Sequence, residues 1–174
     1  FKPQESPDVH MHQSIIRQVL KKDLLLSYPF ESMKPFLNLI REASTDPAVL
    51  AIKITLYRIS RESKLAEYLI EAAENGKEIT VLMELRARFD EQNNIEWAQR
   101  LEEAGCNVIY GFDGYKVHSK ICLITRKDHG RIQHITQVGT GNYNEKTSRL
   151  YTDLSLITAD PEICDDAVAF FKNM

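Results

Sequence analysis

Apolar residues along the middle of the chain alternate between two spacings. Three short runs rich in apolar and β-branched residues, at 49–57, 78–85 and 107–110, have the length and composition of buried strands. Between these runs the apolar residues recur at helical spacing, in two stripes: Leu65, Leu69, Ala72 and Ala73, then Ile95, Ala98, Leu101 and Ala104. Asn75-Gly76 and Gly105 follow the stripes, where such residues commonly end a helix. This alternation predicts parallel strands with right-handed crossover helices.

The segments on either side of this region follow different patterns. Before the first strand, Ser32 has the position of a helix N-cap, Pro35 lies in the first turn, and an apolar stripe follows at 36–43. Later in the chain, the stretches 117–125 and 132–138 are strand-like, and a polar turn that contains glycine joins them. This second pattern predicts an antiparallel hairpin.

The two ends of the chain complete the predicted fold. A strand is predicted at 153–158, and a helix should begin at Asp160-Pro161, because proline at the first helical position needs no N–H. Residues 1–12 form a loose lead-in, and a short helix follows within 13–22. The whole pattern predicts an α/β fold whose sheet is mixed, mostly parallel with an antiparallel hairpin, and flanked by helices.

Composition limits the classes of protein to consider. The 174 residues are 43% hydrophobic and 27% charged, which suits one domain with a real core. A net charge of −3 gives no field that would favour nucleic acid or a membrane surface. The three cysteines are far apart in sequence, so we expect buried thiols in a reducing compartment. Because the chain begins at Phe1 and ends within a helical pattern, we expect a piece of a longer protein.

The first candidate for chemistry is the sequence His118-Ser119-Lys120. On a strand, residues two positions apart share a face, so His118 and Lys120 should project side by side. A neutral imidazole is a good nucleophile toward phosphorus, and a neighbouring ammonium favours that neutral form and can hold phosphoryl oxygens. On the spacing alone, however, a structural histidine at a strand edge is the more common explanation.

The second candidate is Gly139-Thr140-Gly141-Asn142, which directly follows a predicted strand. Glycines permit positive φ angles and close approach of the backbone, so consecutive N–H groups could form an anion-binding nest. The Asn142 amide could donate to a phosphoryl oxygen or orient the histidine. By itself, this loop is better explained as an ordinary glycine-rich turn, but the loop and the HxK sequence together are far more specific.

Arginines and a tyrosine extend the candidate site. Arg58 and Arg88 each follow a predicted parallel strand, and ligands gather at the carboxyl ends of such strands. Guanidinium groups bind phosphate bidentately. Tyr151 could stack on adenine or bond to a phosphate, or it could be a core aromatic at a strand entry. No group of side chains has metal-ligand spacing, so Mg²⁺ would arrive bound to phosphates.

These motifs resemble those of two related groups of proteins. HxK followed by G-x-x-N is similar to the half-motif of the phospholipase D superfamily, although Thr125 stands where that motif has aspartate. From about Leu24 onward the chain is similar to type 1 polyphosphate kinase. Four stretches carry this second resemblance: 46–58, 84–91, 116–120 and 139–153.

The resemblance implies a phospholipase D-like fold and a kinase activity. Residues 23–174 would be the first of two such catalytic domains of a larger enzyme, and residues 1–22 a lead-in from the preceding domain. The family reversibly transfers the γ-phosphate of ATP to polyphosphate through a phosphohistidine, and His118 occupies the place of that histidine. The resemblance also implies roles for the other candidates. Lys120 and Asn142 would act in catalysis with His118, and Arg58 and Arg88 would bind phosphate and Mg²⁺. Tyr151 would bind the nucleotide, and Gly139 and Gly141 would bind phosphate.

The resemblance also implies cofactors, partners and a location. Mg²⁺ would be the cofactor and ATP or ADP and polyphosphate the substrates, with no nucleic acid partner. The full-length enzyme would be a cytoplasmic dimer or tetramer, and it could also associate peripherally with the inner face of the membrane. The second histidine of the site would lie in the other domain, so the chain alone should be inactive. A phospholipase D-like phosphodiesterase, or a polyphosphate-binding module without activity, are the alternatives.

Overall fold

The computed structural model describes residues 2–86, 90–112 and 114–174. Its helices are α1 (Ile15–Val19), α2 (Lys34–Thr45), α3 (Lys64–Glu74), α4 (Glu91–Glu103) and α5 (Pro161–Lys172), with a 3₁₀ turn at Thr147–Arg149. Its strands are β1 (Leu24–Tyr28), β2 (Val49–Leu56), β3 (Glu78–Met83), β4 (Asn107–Tyr110), β5 (Ile121–Asp128), β6 (Arg131–Gly139) and β7 (Asp153–Thr158).

Among the described residues, seven strands form one mixed sheet in the order β1-β7-β6-β5-β2-β3-β4. The pairs β2–β3 and β3–β4 are parallel, and the other four pairs are antiparallel. Strands β1, β2, β3, β4 and β6 therefore share one direction. The predicted mixed sheet flanked by helices is confirmed. Only two of the six described strand pairs are parallel, so the sheet is less parallel than predicted, because β7 pairs with both β1 and β6 and because β5 pairs with β2.

Turns and caps form where the sequence places the suitable residues. The β5–β6 hairpin closes through His129 and Gly130, whose φ angles of 48° and 76° are the left-handed values that a tight two-residue turn requires. Asp160 caps α5 by accepting hydrogen bonds from the N–H groups of Glu162 and Ile163. The predicted hairpin and the predicted start of the last helix are both confirmed.

Two local predictions need adjustment. Helix α2 begins at Lys34 with Met33 as its N-cap, one residue later than predicted, and Met33 makes no side-chain cap bond. The Ser32 hydroxyl still accepts from the Lys34 N–H at 3.1 Å, which is the bond expected of a capping serine. In α4, Ile95 is 38% exposed, whereas Trp97 is buried at 3%. The Trp97 ring turns into the core and donates its Nε1–H to the Ser60 carbonyl at 3.0 Å, which fixes the face that α4 buries.

One face of the sheet packs against the first four helices. Its contribution to the core comes from alternate strand residues such as Ile52 and Ile54, which are fully buried with Phe36 of α2 and Leu65 of α3. The N-terminal residues 9–19 join the same core. The opposite face carries α5, where Cys164 accepts a hydrogen bond from the Thr136 hydroxyl of β6. No helix in the described ranges is both long and apolar enough to cross a membrane.

Several strand ends meet at one edge of this sheet. Backbone hydrogen bonds join Glu84, after β3, to Leu56 at the end of β2, and Gly139 at the end of β6 to Lys120, just before β5. Another joins Thr140 to Leu154 of β7. The predicted functional segments therefore come together at this edge.

Candidate functional site

The segment that carries His118 is not a strand, contrary to the prediction for 117–125. Strand β5 begins only at Ile121. Between Val117 and Ser119, the backbone is bonded to side chains of β2 and of the residue after β3. The Val117 N–H donates to Glu84 Oε2 at 3.1 Å, and the Thr55 hydroxyl donates to the Ser119 carbonyl at 2.8 Å. These contacts replace the strand ladder that the sequence pattern suggested.

The predicted nucleophile and its lysine differ in burial. His118 is exposed, whereas Lys120 is buried at 7% exposure, and its ammonium donates to the His118 carbonyl at 2.5 Å. Both side chains lie near the ring of Tyr57: the His118 ring packs edge-on at 5.6 Å between centroids, and Lys120 Nζ lies 5.9 Å from the Tyr57 centroid. The two groups therefore meet around an aromatic ring.

Two opposing effects act on the pKa of the Lys120 ammonium. Burial lowers the pKa of the Lys120 ammonium because the charged form loses hydration, and the nearby Asp153 carboxylate partly opposes this by raising it. Asp153 also accepts a hydrogen bond from the Thr140 hydroxyl at 2.7 Å. Asp153 thus links the glycine loop to the lysine, a role that the sequence did not reveal.

The glycine loop does not form the predicted nest at its first two positions. The N–H groups of Gly139 and Thr140 already donate to the carbonyls of Lys120 and Leu154, each at 3.0 Å, and neither Gly139 nor Gly141 has a positive φ. Both glycines instead permit close approach. A Cβ on Gly141 would lie 2.6 Å from the Asp153 carboxyl carbon, and one on Gly139 would lie 3.1 Å from the Leu154 carbonyl oxygen.

Two polar side chains at this edge have unpaired atoms. Arg58 lies with its guanidinium 5.6 Å from the Tyr57 ring centroid and its Nε 3.6 Å from the Asp90 carboxylate. Among the described residues, neither Arg58 Nε nor Asn142 Oδ1 has a hydrogen-bond partner, although both atoms are buried. A half-turn of the Asn142 amide would present donors instead of the oxygen. Both groups suit an anionic ligand.

The remaining predicted residues lie in different surroundings. Tyr151 is 62% exposed in the loop before β7, which excludes the alternative of a core aromatic. Arg88 lies outside the described residues. His134, a weaker candidate, is bonded through Nδ1 to the Thr125 hydroxyl at 3.2 Å. Thr125 lies on β5, five residues after Lys120. Thr125, at the aspartate position of the half-motif, therefore belongs to a different part of the sheet.

Sequence reasoning missed three side chains that shape the site: Thr55, Tyr57 and Glu84. Thr55 and Glu84 are buried at 2% and 4% exposure, and each bonds to the backbone around His118. A usable signal was present for Glu84, since an acidic residue directly after a buried strand needs hydrogen-bond donors. For Thr55 and Tyr57 the sequence offered only their place at the end of a strand.

The protein residues at this edge do not make a magnesium cage. In the parts of the chain that the structure describes, no three His, Cys, Asp or Glu side chains cluster as metal ligands. Glu84 already accepts from the N–H groups of Arg86 and Val117, and the guanidinium of Arg58 cannot bind a cation. The cationic donors fit the phosphate oxygens of a ligand that brings its own Mg²⁺.

Comparison with known proteins gives consistent matches. The family model described as "Polyphosphate kinase C-terminal domain 1" matches residues 14–174. A polyphosphate kinase of Exiguobacterium sibiricum is 52% identical over 170 residues, which are 98% of this chain and 24% of the relative. One of Halalkalibacterium halodurans is 50% identical over 172 residues, 99% of this chain and 24% of the relative. The chain thus spans about a quarter of the length of these relatives.

Two solved structures are similar to this chain, one with a moderate and one with a low sequence identity. The crystal structure of a polyphosphate kinase from Porphyromonas gingivalis superposes with a TM-score of 0.85 at 35% identity, over 98% of this chain and 29% of that one. Nuc, a phospholipase D family member from Salmonella typhimurium, superposes with a TM-score of 0.66 at 13% identity, over 87% of this chain and 92% of that one.

The likeness to Nuc concerns the fold alone. Together with the HxK segment at the sheet edge, it defines the chain as a phospholipase D-like α/β domain. Within that class, the chain belongs to the polyphosphate kinase family and corresponds to its C-terminal domain 1.

Proposed function

We propose that this chain supplies the nucleophilic half of a polyphosphate kinase active site. The observation that carries the proposal is the convergence, at one sheet edge, of an exposed imidazole, a buried ammonium and a guanidinium around the Tyr57 ring. The family of the chain supplies the substrates, ATP and polyphosphate. Residues 23–174 would then form the first of two catalytic domains in the full-length enzyme.

The transfer runs in two balanced steps. A ring nitrogen of His118 attacks the γ-phosphorus of ATP, so an N–P bond forms while the bond to the bridging oxygen breaks and ADP leaves. A terminal oxygen of polyphosphate then attacks the same phosphorus, and the N–P bond breaks to regenerate His118. Reversal of both steps makes ATP from polyphosphate and ADP.

The surrounding side chains would stabilise the transferred group. Arg58 and Lys120 offset negative charge on the phosphoryl oxygens, and Asn142 can donate an amide hydrogen bond to one of them. Mg²⁺, when bound to the nucleotide phosphates, would neutralise further charge. Tyr151, exposed in the loop before β7, would contact the nucleotide, and Arg88 would add a second guanidinium.

Covalent labelling tests the nucleophile. In the full-length protein, His118→Ala should abolish acid-labile labelling by ATP that carries ³²P at the γ-position, because the proposed nucleophile is then missing. The matched control is His134→Ala, which removes a histidine bonded to Thr125 away from the site and should leave labelling unchanged. Labelling that persists in His118→Ala would show that the nucleophile lies elsewhere.

A phosphodiesterase is the second candidate, favoured by the fold that the chain shares with Nuc. It would use the same histidine, but water would accept the phosphoryl group. Thr125 in place of the half-motif aspartate and the additional arginine at the β2 end count against it. Hydrolysis of a model diester such as bis-p-nitrophenyl phosphate, with loss in His118→Ala, would support this candidate over the kinase.

A further inference from the structure

The backbone around His118 is held by a threonine hydroxyl. Thr55, one residue before the end of β2, is 2% exposed. Its hydroxyl donates to the Ser119 carbonyl at 2.8 Å and accepts from the Ile121 N–H at 3.1 Å. These two bonds lie on either side of Lys120 and begin directly after His118, where the chain enters β5. The hydroxyl therefore fixes the path of the chain at that point.

The side chain of His118 is held by a different group. Among the residues that the structure describes, no hydrogen bond orients the His118 ring, and its ring contact is with Tyr57, edge-on at an interplanar angle of 77°. The Tyr57 ring also lies within cation–π distance of the Arg58 guanidinium and the Lys120 ammonium. One ring thus restricts the imidazole and both cations.

A third contact limits the other side of the segment. Glu84, buried at 4% exposure, accepts from the Val117 N–H, one residue before His118. The backbone on both sides of His118 is therefore bonded to buried side chains of β2 and of the residue after β3. Rotation of the imidazole about its own side-chain bonds is what remains free, and Tyr57 is the group that limits it.

We propose that Thr55 and Tyr57 are positioning residues for His118, Thr55 through the backbone and Tyr57 through the ring. The inference rests on the proposed function, since it assigns these residues to the nucleophile of that reaction. A ring nitrogen must lie close to the phosphorus and in line with the leaving oxygen, and small displacements reduce the rate strongly. Thr55 needs to touch neither ATP nor Arg58, so binding of ATP should not depend on it. The Tyr57 ring also lies beside Arg58 and Lys120, so its loss should weaken ATP binding as well as slow the transfer.

Two matched pairs of variants of the full-length protein test this assignment. Thr55→Val keeps the shape and removes the hydroxyl, whereas Thr55→Ser keeps the hydroxyl. Tyr57→Leu removes the ring, whereas Tyr57→Phe keeps it. In single-turnover labelling with γ-labelled ATP, the Val and Leu variants should form phosphohistidine about 10²-fold more slowly. The Ser and Phe variants should stay within roughly threefold of wild type, and KM for ATP should change by no more than roughly threefold in both Thr55 variants and in Tyr57→Phe.

The outcomes separate this inference from the proposed function. Wild-type labelling rates in Thr55→Val and Tyr57→Leu, or an increase of KM without a slower rate, would overturn the positioning role. If Thr55→Val does not fold, the Tyr57 pair decides. If the unsubstituted protein forms no phosphohistidine, the proposed function is wrong, and amide exchange then decides the backbone part. Faster exchange at Ile121 in Thr55→Val would support the role of Thr55, and unchanged exchange would overturn it.

Discussion

Lys120 carries a charge into a buried position, and its titration should be visible in the stability of the domain. Because burial lowers its pKa in the folded state, the unfolded chain binds this proton more tightly than the folded chain does. Between the lowered pKa and the ordinary value of 10.5, unfolding therefore takes up a proton, and the free energy of unfolding rises with pH. Below that interval the cost of the buried charge is fully present.

The substitution Lys120→Met isolates this effect. We expect the free energy of unfolding of the variant, relative to wild type, to be highest near neutral pH and to fall as pH rises toward 10.5. Urea unfolding at a series of pH values measures the difference, and contributions from other titrating groups cancel between the two proteins. A relative stability that does not change with pH would contradict a lowered pKa of Lys120.

At the scale of residues, the sequence indicated candidate residues but not their geometry. The HxK spacing and the glycine loop are visible to any reader of the chain. The groups that shape the site are distant in sequence: Thr55 is 64 residues before Ser119, and Glu84 is 33 before Val117. No local pattern indicates that these side chains replace a strand ladder, and the predicted strand 117–125 is therefore too long at its beginning.

At the scale of elements, Glu145 joins the glycine loop to the start of α3. Its carboxylate accepts from the Ser60 hydroxyl at 2.7 Å and from the Lys64 N–H at 2.9 Å. A carboxylate at a helix N-terminus satisfies free N–H groups and interacts favourably with the helix dipole. Since Ser60 lies two residues after Arg58, Glu145 also fastens the loop that carries Arg58 to the loop that carries Asn142.

Replacement of Glu145 should therefore destabilise the domain. We expect Glu145→Gln to lower the free energy of unfolding by about 1 kcal/mol, because the amide has one acceptor in place of two and no charge. Glu67→Gln is the control: Glu67 is an exposed acidic residue in the first turn of the same helix, and its replacement should cost less than about 0.5 kcal/mol. Equal effects of the two substitutions in urea unfolding would show that Glu145 acts only through its charge.

Helices and strands that have a clear local sequence pattern were predictable, whereas a strand that depends on a partner distant in sequence was not. The β2–α3–β3–α4–β4 alternation follows from periodicity and glycine caps within each segment. Strand β1 has five residues, and its apolar run is only three leucines, so its identity as a strand depends on pairing with β7, as in the register Leu26↔Ser155. That partner lies at the other end of the chain, so composition alone left the run unassigned.

At the scale of the whole molecule, the site occupies an open edge and the sequence contains one HxK motif. The proposed mechanism needs a second group to act as acid or base toward the leaving and attacking oxygens, and such proton transfer typically contributes about 10²–10⁴-fold to a rate. The family resemblance assigns that group to a histidine in another domain. We therefore infer that one copy of this chain holds half of the catalytic machinery.

The 174-residue chain by itself should therefore fold without catalysing net synthesis. Circular dichroism and a cooperative thermal transition would establish folding, after which incubation with γ-labelled ATP and a polyphosphate primer measures activity. We expect at least about 10²-fold less labelled polyphosphate per site than with the full-length protein, because the proton-transfer group is missing. Activity near that of the full-length protein would contradict the half-site. A rate that grew with the square of chain concentration would instead show that two copies complete the site together, since each contributes one histidine to a shared centre.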